Sequence, residues 1–187
     1  MTELIFNEAE TIALLKFHLN KQDMESALSL GKRSVIEFPE NNIIRFILAS
    51  VQSDIGLYEQ AEQDYLSCLD VDSEFHLARF QLALMYWNIT NRLLAIEQFT
   101  SIANSTPESF LNDFSNGFIQ IHENNIQSAK KYIKKGITNN FLLPDLNKDI
   151  QNYIESFDIS STDEVIKDEP ILETETITPA QLTKYFS

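Results

Sequence analysis

Cysteine, glycine, proline and positive charge are all scarce in this chain of 187 residues. The single cysteine, Cys68, has no partner for an internal disulfide, and no zinc ligand set can be assembled around it. Gly31, Gly56, Gly117 and Gly136 stand far apart, which excludes a glycine-rich phosphate loop. Lysine and arginine together number 14 against 28 acidic side chains, a net charge of −14. So acidic a chain lacks the basic face that a nucleic-acid binder needs, and no nucleic acid is expected as a partner. No run of about 18 apolar residues occurs, so no membrane span is expected. The opening stretch carries Glu3, Glu8 and Glu10 and no basic leader, unlike a secretory signal, and a cytoplasmic location is the expectation. Apolar residues nonetheless make up 43% and charged residues 22%, enough for a folded core.

A period organises what is present. Ala27, Ala61, Ala95 and Ala129 recur every 34 residues. Their flanks agree. Leu14-Leu15, Leu48-Ala49, Leu82-Ala83 and Asn116-Gly117 precede each alanine at one distance. Gly31, Tyr65, Phe99 and Ile133 follow it by four places. Ser34-Val35, Cys68-Leu69, Ile102-Ala103 and Gly136-Ile137 pair a small residue with an apolar one further on, and Pro39 and Pro107 close two units.

This joint spacing resembles the tetratricopeptide repeat family, whose unit has about 34 residues in two antiparallel helices. The second unit matches best, through Leu48-Ala49, Gly56, Tyr58, Ala61, Tyr65, Cys68 and Leu69. The first has Gly31 where an aromatic is usual. The fourth has Asn116 in the apolar place and Phe141 where proline would close it. The resemblance implies an all-α fold, a right-handed α-solenoid of antiparallel helix pairs. Units are expected at about 8–41, 42–75, 76–109 and 110–143.

Helical periodicity in the residues supports this reading by itself. First helices are predicted within Ile12–Leu19, Ile43–Ile55, Leu77–Ile89 and Phe110–Ile121. Second helices are predicted at Met24–Phe38, Tyr58–Val71, Leu93–Ala103 and Ile126–Ile137. Asn7 and Glu10 read as a capping pair. Pro144 to Phe157 carries Leu146, Ile150, Tyr153, Ile154 and Phe157 on one face, as a helix capping the end of a stack must. The helical domain is thus expected over 1–157. An acidic tail follows over 158–187, where Thr178-Pro179 and then Leu182, Tyr185 and Phe186 predict a short terminal helix.

No catalytic constellation is legible. His18, His76 and His122 lie in three different units without ligand spacing and read as packing or surface residues. Cys68 reads as a buried, inert thiol. No catalytic, cofactor-binding or metal residue is assigned, no cofactor is expected, and the chain is not expected to be an enzyme.

The resemblance places the first helices along a concave face. The column Ile12, Phe46, Phe80 and Phe114 lies there. Ile43, Leu77 and Leu111, then Lys16, Leu84 and Phe118, then Trp87 and Ile121, share its helical stripe. The expectation is an apolar, aromatic-rich groove that holds a protein or peptide segment, with Phe80, Trp87, Phe114 and Phe118 accessible. Relatives that clamp a peptide carboxylate use clustered basic residues in this groove, whereas here only Lys16 fits, and Arg45 and Arg79 lie beside the stripe. Two functions follow: an interaction scaffold, or a holding chaperone similar to the repeat-containing chaperones of secretion systems. The tail's Leu182, Tyr185 and Phe186 are a candidate occupant of the same groove.

Overall fold

The computed structural model describes residues 6–105 and 109–159; the end of the chain with its expected terminal helix, and Pro107, lie outside the described residues. Two spacings govern what is described. First helices α1 (Glu8–Asn20), α3 (Asn42–Asp54), α5 (His76–Asn88) and α7 (Phe110–His122) each have 13 residues and begin 34 residues apart. Second helices α2 (Met24–Glu37), α4 (Tyr58–Val71), α6 (Arg92–Ser105) and α8 (Ile126–Asn139) each have 14 residues and keep the same interval. A ninth helix, α9 (Pro144–Ile159), runs two residues past the expected end of the cap. The fold is all-α, with no strand among the described residues.

The helix ends explain why the interval is held so closely. Asn7 accepts from the Glu10 amide and Glu10 accepts from the Asn7 amide, a closed capping box. Asn41 and Ser109 cap α3 and α7 from the equivalent place, satisfying amides that the helix itself cannot. The turn inside each hairpin is also repeated. Gln22, Gly56, Thr90 and Asn124 adopt positive φ of 57°, 79°, 65° and 60°. In each turn the next residue's amide (Asp23, Leu57, Asn91, Asn125) bonds back to the carbonyl of His18, Gln52, Tyr86 or Gln120. That is the left-handed C-terminal closure which reverses the chain without leaving carbonyls unpaired.

The described residues fall into two compact units, 6–78 and 79–159. In the first, Leu15, Leu19, Ala27, Leu30, Ile44, Ile47 and Val51 form the core between α1, α2 and α3. The α3/α4 pair is antiparallel: Asn42 reaches the Cys68 carbonyl at 3.0 Å, Arg45 pairs with Asp64 at 3.2 Å, and Ser50 accepts from the Tyr65 hydroxyl at 3.1 Å. Partner numbers fall as α3 rises.

The second unit repeats the pattern. Arg79 donates to Gln98 at 3.0 Å across α5/α6. The buried Asp113 receives Lys135 at 2.7 Å and Asn139 at 3.2 Å across α7/α8. Close helix approach is decided by Gly117 and Gly136. A Cβ on Gly117 would lie 2.6 Å from Ile133, and one on Gly136 would lie 2.6 Å from the Phe114 ring. The apparent misfit Asn116 bonds to the Asn112 carbonyl one turn earlier. Buried Asn140 then folds the loop to α9, accepting from the Leu142 and Leu143 amides and donating to the Leu143 carbonyl. Pro144, whose missing N–H is harmless there, starts α9. Phe141 stands 87% exposed in that loop.

Candidate functional site

Helical geometry divides each first helix into sectors. Gly117 faces α8, since its missing Cβ is what Ile133 and the Ala129 carbonyl approach. At 100° per residue, Phe114 lies only about 60° round the helix from Gly117, on the flank of that interface. By the 34-residue period, Phe80 holds the same place on α5, and Trp87 lies about 40° from Ala83. Ser115 and Gln81 sit about 160° away, turned from the second helices.

The structure seals the predicted aromatic stripe. Phe80, Phe114 and Phe118 are 0% exposed and Trp87 1%. Phe46, Leu77, Leu84, Leu111 and Ile121 are buried as well, while Ile12, Lys16 and Ile43 are half-buried. The rings pack on one another. Phe80 meets Phe99 at 5.7 Å and Phe114 at 6.3 Å between centroids. Phe118 stacks on Phe99 at 4.8 Å with 5° between planes, and Trp87 stands edge-on to Phe118 at 5.1 Å. In the first unit Phe46 lies against Tyr65 and Phe75. The expectation that Phe80, Trp87, Phe114 and Phe118 are accessible is therefore corrected. A phenyl ring some 60° from the hairpin interface reaches sideways into the next hairpin, so these rings are the joints of the stack.

Two contacts of Trp87 were not legible in the sequence. Its indole N–H donates to the Tyr153 hydroxyl at 2.9 Å, and the Arg92 guanidinium lies 3.9 Å from its ring centroid. Arg92 also donates to the Trp87 carbonyl. Cation and ring attract through the ring's negative face. Arg45 and Arg79 are engaged with their own hairpins, as their position beside the stripe suggested.

What remains is the sector opposite the hairpin interface. On α1 it is open: Ala9 and Ala13 are exposed and Lys16 half-buried. On α5 and α7 the same positions are covered, with Gln81 at 1% and Ser115 at 0% exposure. Gln81 Nε2 and Ser115 Oγ have no hydrogen-bond partner. A pair of polar residues 34 apart, each directly after a phenylalanine of the column, was the sequence signal for this sector.

Titratable groups gather nowhere. His18 pairs with Asp23 at 3.2 Å, His76 with Glu74 at 3.1 Å, and His122 is exposed on α7. Burial pushes the Cys68 thiol up to about 12, with Arg45 opposing and Asp64 adding to the shift, so it stays protonated at neutral pH. Among the described residues no group of histidine, cysteine or carboxylate side chains could hold a metal ion. No helix among them is long and apolar enough to cross a membrane. No family model matches the chain, and no curated protein gives a significant match to it.

Proposed function

We propose that this chain is a tetratricopeptide-type scaffold, a non-enzymatic cytoplasmic protein that holds a protein or peptide segment against the inner sector of its first helices. The observation that carries the reading is the repeated hairpin itself. Identical helix lengths, caps and left-handed turns at a 34-residue interval present the same sector of each first helix again and again. Such repetition suits an extended ligand read by several units, and chemistry needs no such repetition. The aromatic column supports the scaffold from inside, and the ligand meets the sector next to it: Ala9, Ala13 and Lys16 on α1, and Leu84, Leu111, Gln81, Ser115 and His122 on α5 and α7. The acidity of the chain favours ligands with basic flanks. A holding chaperone finds less support. The most exposed large apolar side chains, Ile36, Leu93 and Phe141, stand on three separate elements and form no continuous patch for a disordered client.

Panning a phage library of random 12-residue peptides on the immobilised chain tests the reading. An apolar motif with basic flanks should be enriched. Ala13→Glu and His122→Glu, both at exposed positions of the sector, should weaken the selected peptide at least tenfold with unchanged helicity. A panning that enriches nothing, or peptides indifferent to both substitutions, sinks it.

A further inference from the structure

The inner sector of α5 and α7 presents a physical conflict. It points away from the second helices, and it carries polar side chains, yet Gln81 and Ser115 are sealed from water with unpaired atoms. Burying such groups costs about 1–3 kcal/mol each unless something meets them. The equivalent position on α1, Ala13, is open to solvent. So burial does not follow from the sector's place on a first helix.

The chain carries a segment suited to cover it. Leu182, Tyr185 and Phe186 recur at helical spacing behind Thr178-Pro179, and an acidic stretch with Asp163, Glu164, Asp168, Glu169, Glu173 and Glu175 precedes them. The residues between Ile159 and Thr178 could span up to about 60 Å when extended, against the ~10 Å between packed helix axes. Reach is no obstacle. The acidic stretch keeps that connection solvated, while the three apolar side chains match the Leu84 and Leu111 surface beside Gln81 and Ser115.

We infer that residues 178–186 occupy the inner sector of α5 and α7 and hold the scaffold closed until a ligand displaces them. This deepens the proposed function and rests on its assignment of the sector as the binding face. Tethering supplies an effective concentration in the millimolar range, so a ligand must outcompete an intramolecular rival. Gln81 and Ser115 are then the polar contacts for the occupant's main chain or hydroxyl groups.

Thiol labelling tests the inference on the full chain. Ser115→Cys places a reporter in the sector, and Gln81→Cys places a second one at the equivalent position of α5. Buried Cys68 is the internal control for unfolding of its hairpin, and circular dichroism is the control for the whole chain. Each reporter should react with an aromatic disulfide reagent at least tenfold faster when Leu182→Ser, Tyr185→Ser and Phe186→Ser are combined. A synthetic peptide of residues 176–187 should slow it again. Equal rates with and without the triple substitution would overturn the inference. So would protection that rises with protein concentration, since the occupant would then be a second copy. Loss of helicity or reaction of Cys68 in the triple variant would overturn it too, because the segment would be core. If the reporter is uncovered as expected but the triple variant selects no phage peptide, the occupant stands and the scaffold reading falls.

Discussion

The indole nitrogen of Trp87 donates to the hydroxyl of Tyr153 at 2.9 Å, tying α5 to α9 within the second compact unit. Both side chains are buried, and Tyr153 stacks on Phe118 at 6.0 Å on the way. The terminal helix therefore does more than shield the last hairpin: it reaches the one preceding it.

Tyr153→Phe keeps the ring and removes the acceptor. A buried indole N–H left without its partner should cost about 1–3 kcal/mol, read as a lower urea midpoint. Trp87 is the only tryptophan, so its emission reports the same site directly. An unchanged midpoint would mean that water replaces the hydroxyl at no cost.

Phe114→Ala and Phe80→Ala should each destabilise the chain by roughly 3–5 kcal/mol, because neighbouring rings cannot close the vacated volume. Gly136→Ala drives a methyl group into the Phe114 ring and should cost about 1–3 kcal/mol. Chemical denaturation followed by circular dichroism checks all three. Phenylalanine variants with wild-type stability would restore the open-groove reading.

The hairpin turns allow a test of opposite sign at one repeat position. Thr90 has φ of 65° and Gly56 has φ of 79°. A β-branched residue is strained there, whereas glycine is not. Thr90→Gly should raise stability by up to about 1 kcal/mol, after allowance for the greater freedom of unfolded glycine, and Gly56→Ala should lower it by about 1 kcal/mol. Thermal unfolding of the pair decides; changes of the same sign would refute the assignment.

Low pH should loosen α2 first at its start. Hydrogen bonds from Ser26, to side chain and backbone, hold the Asp23 carboxyl below its ordinary value of 3.8, with His18 adding to the effect. The folded value is the lower one. The cap is thus fully effective above 3.8 and is lost as pH falls through the folded value. Amide exchange at Ser26 should rise over that range, and Asp23→Asn, which keeps an acceptor, should remove the dependence. A Ser26 amide indifferent to acid would show that the cap carries no weight.

The interval of the alanines, the capping box at Asn7 and Glu10, the small residues at Gly117 and Gly136, and the cap helix with its buried Leu146, Ile150 and Tyr153 were all legible beforehand. Each is a local signal: a cap is a bond three residues long, and a period is a property of the string. The positive-φ turns were only partly legible. Gly56 announces one, but Gln22, Thr90 and Asn124 are held there by the hairpin against their own preference. The functional face was misplaced. Phe80, Phe114 and Phe118 share a stripe with Leu84 and Leu111, and a periodicity of 3.6 cannot tell a flank from an open side when both are apolar.

By itself the string determined which segments become helices, where each starts and stops, and that they come in pairs at a fixed interval, because those follow from bonds and preferences within a few residues. Only the tertiary structure decided which apolar residues are joints and which sector is left to receive something else. That choice depends on how far each ring reaches toward a neighbouring hairpin, a distance in space that no spacing along the chain records.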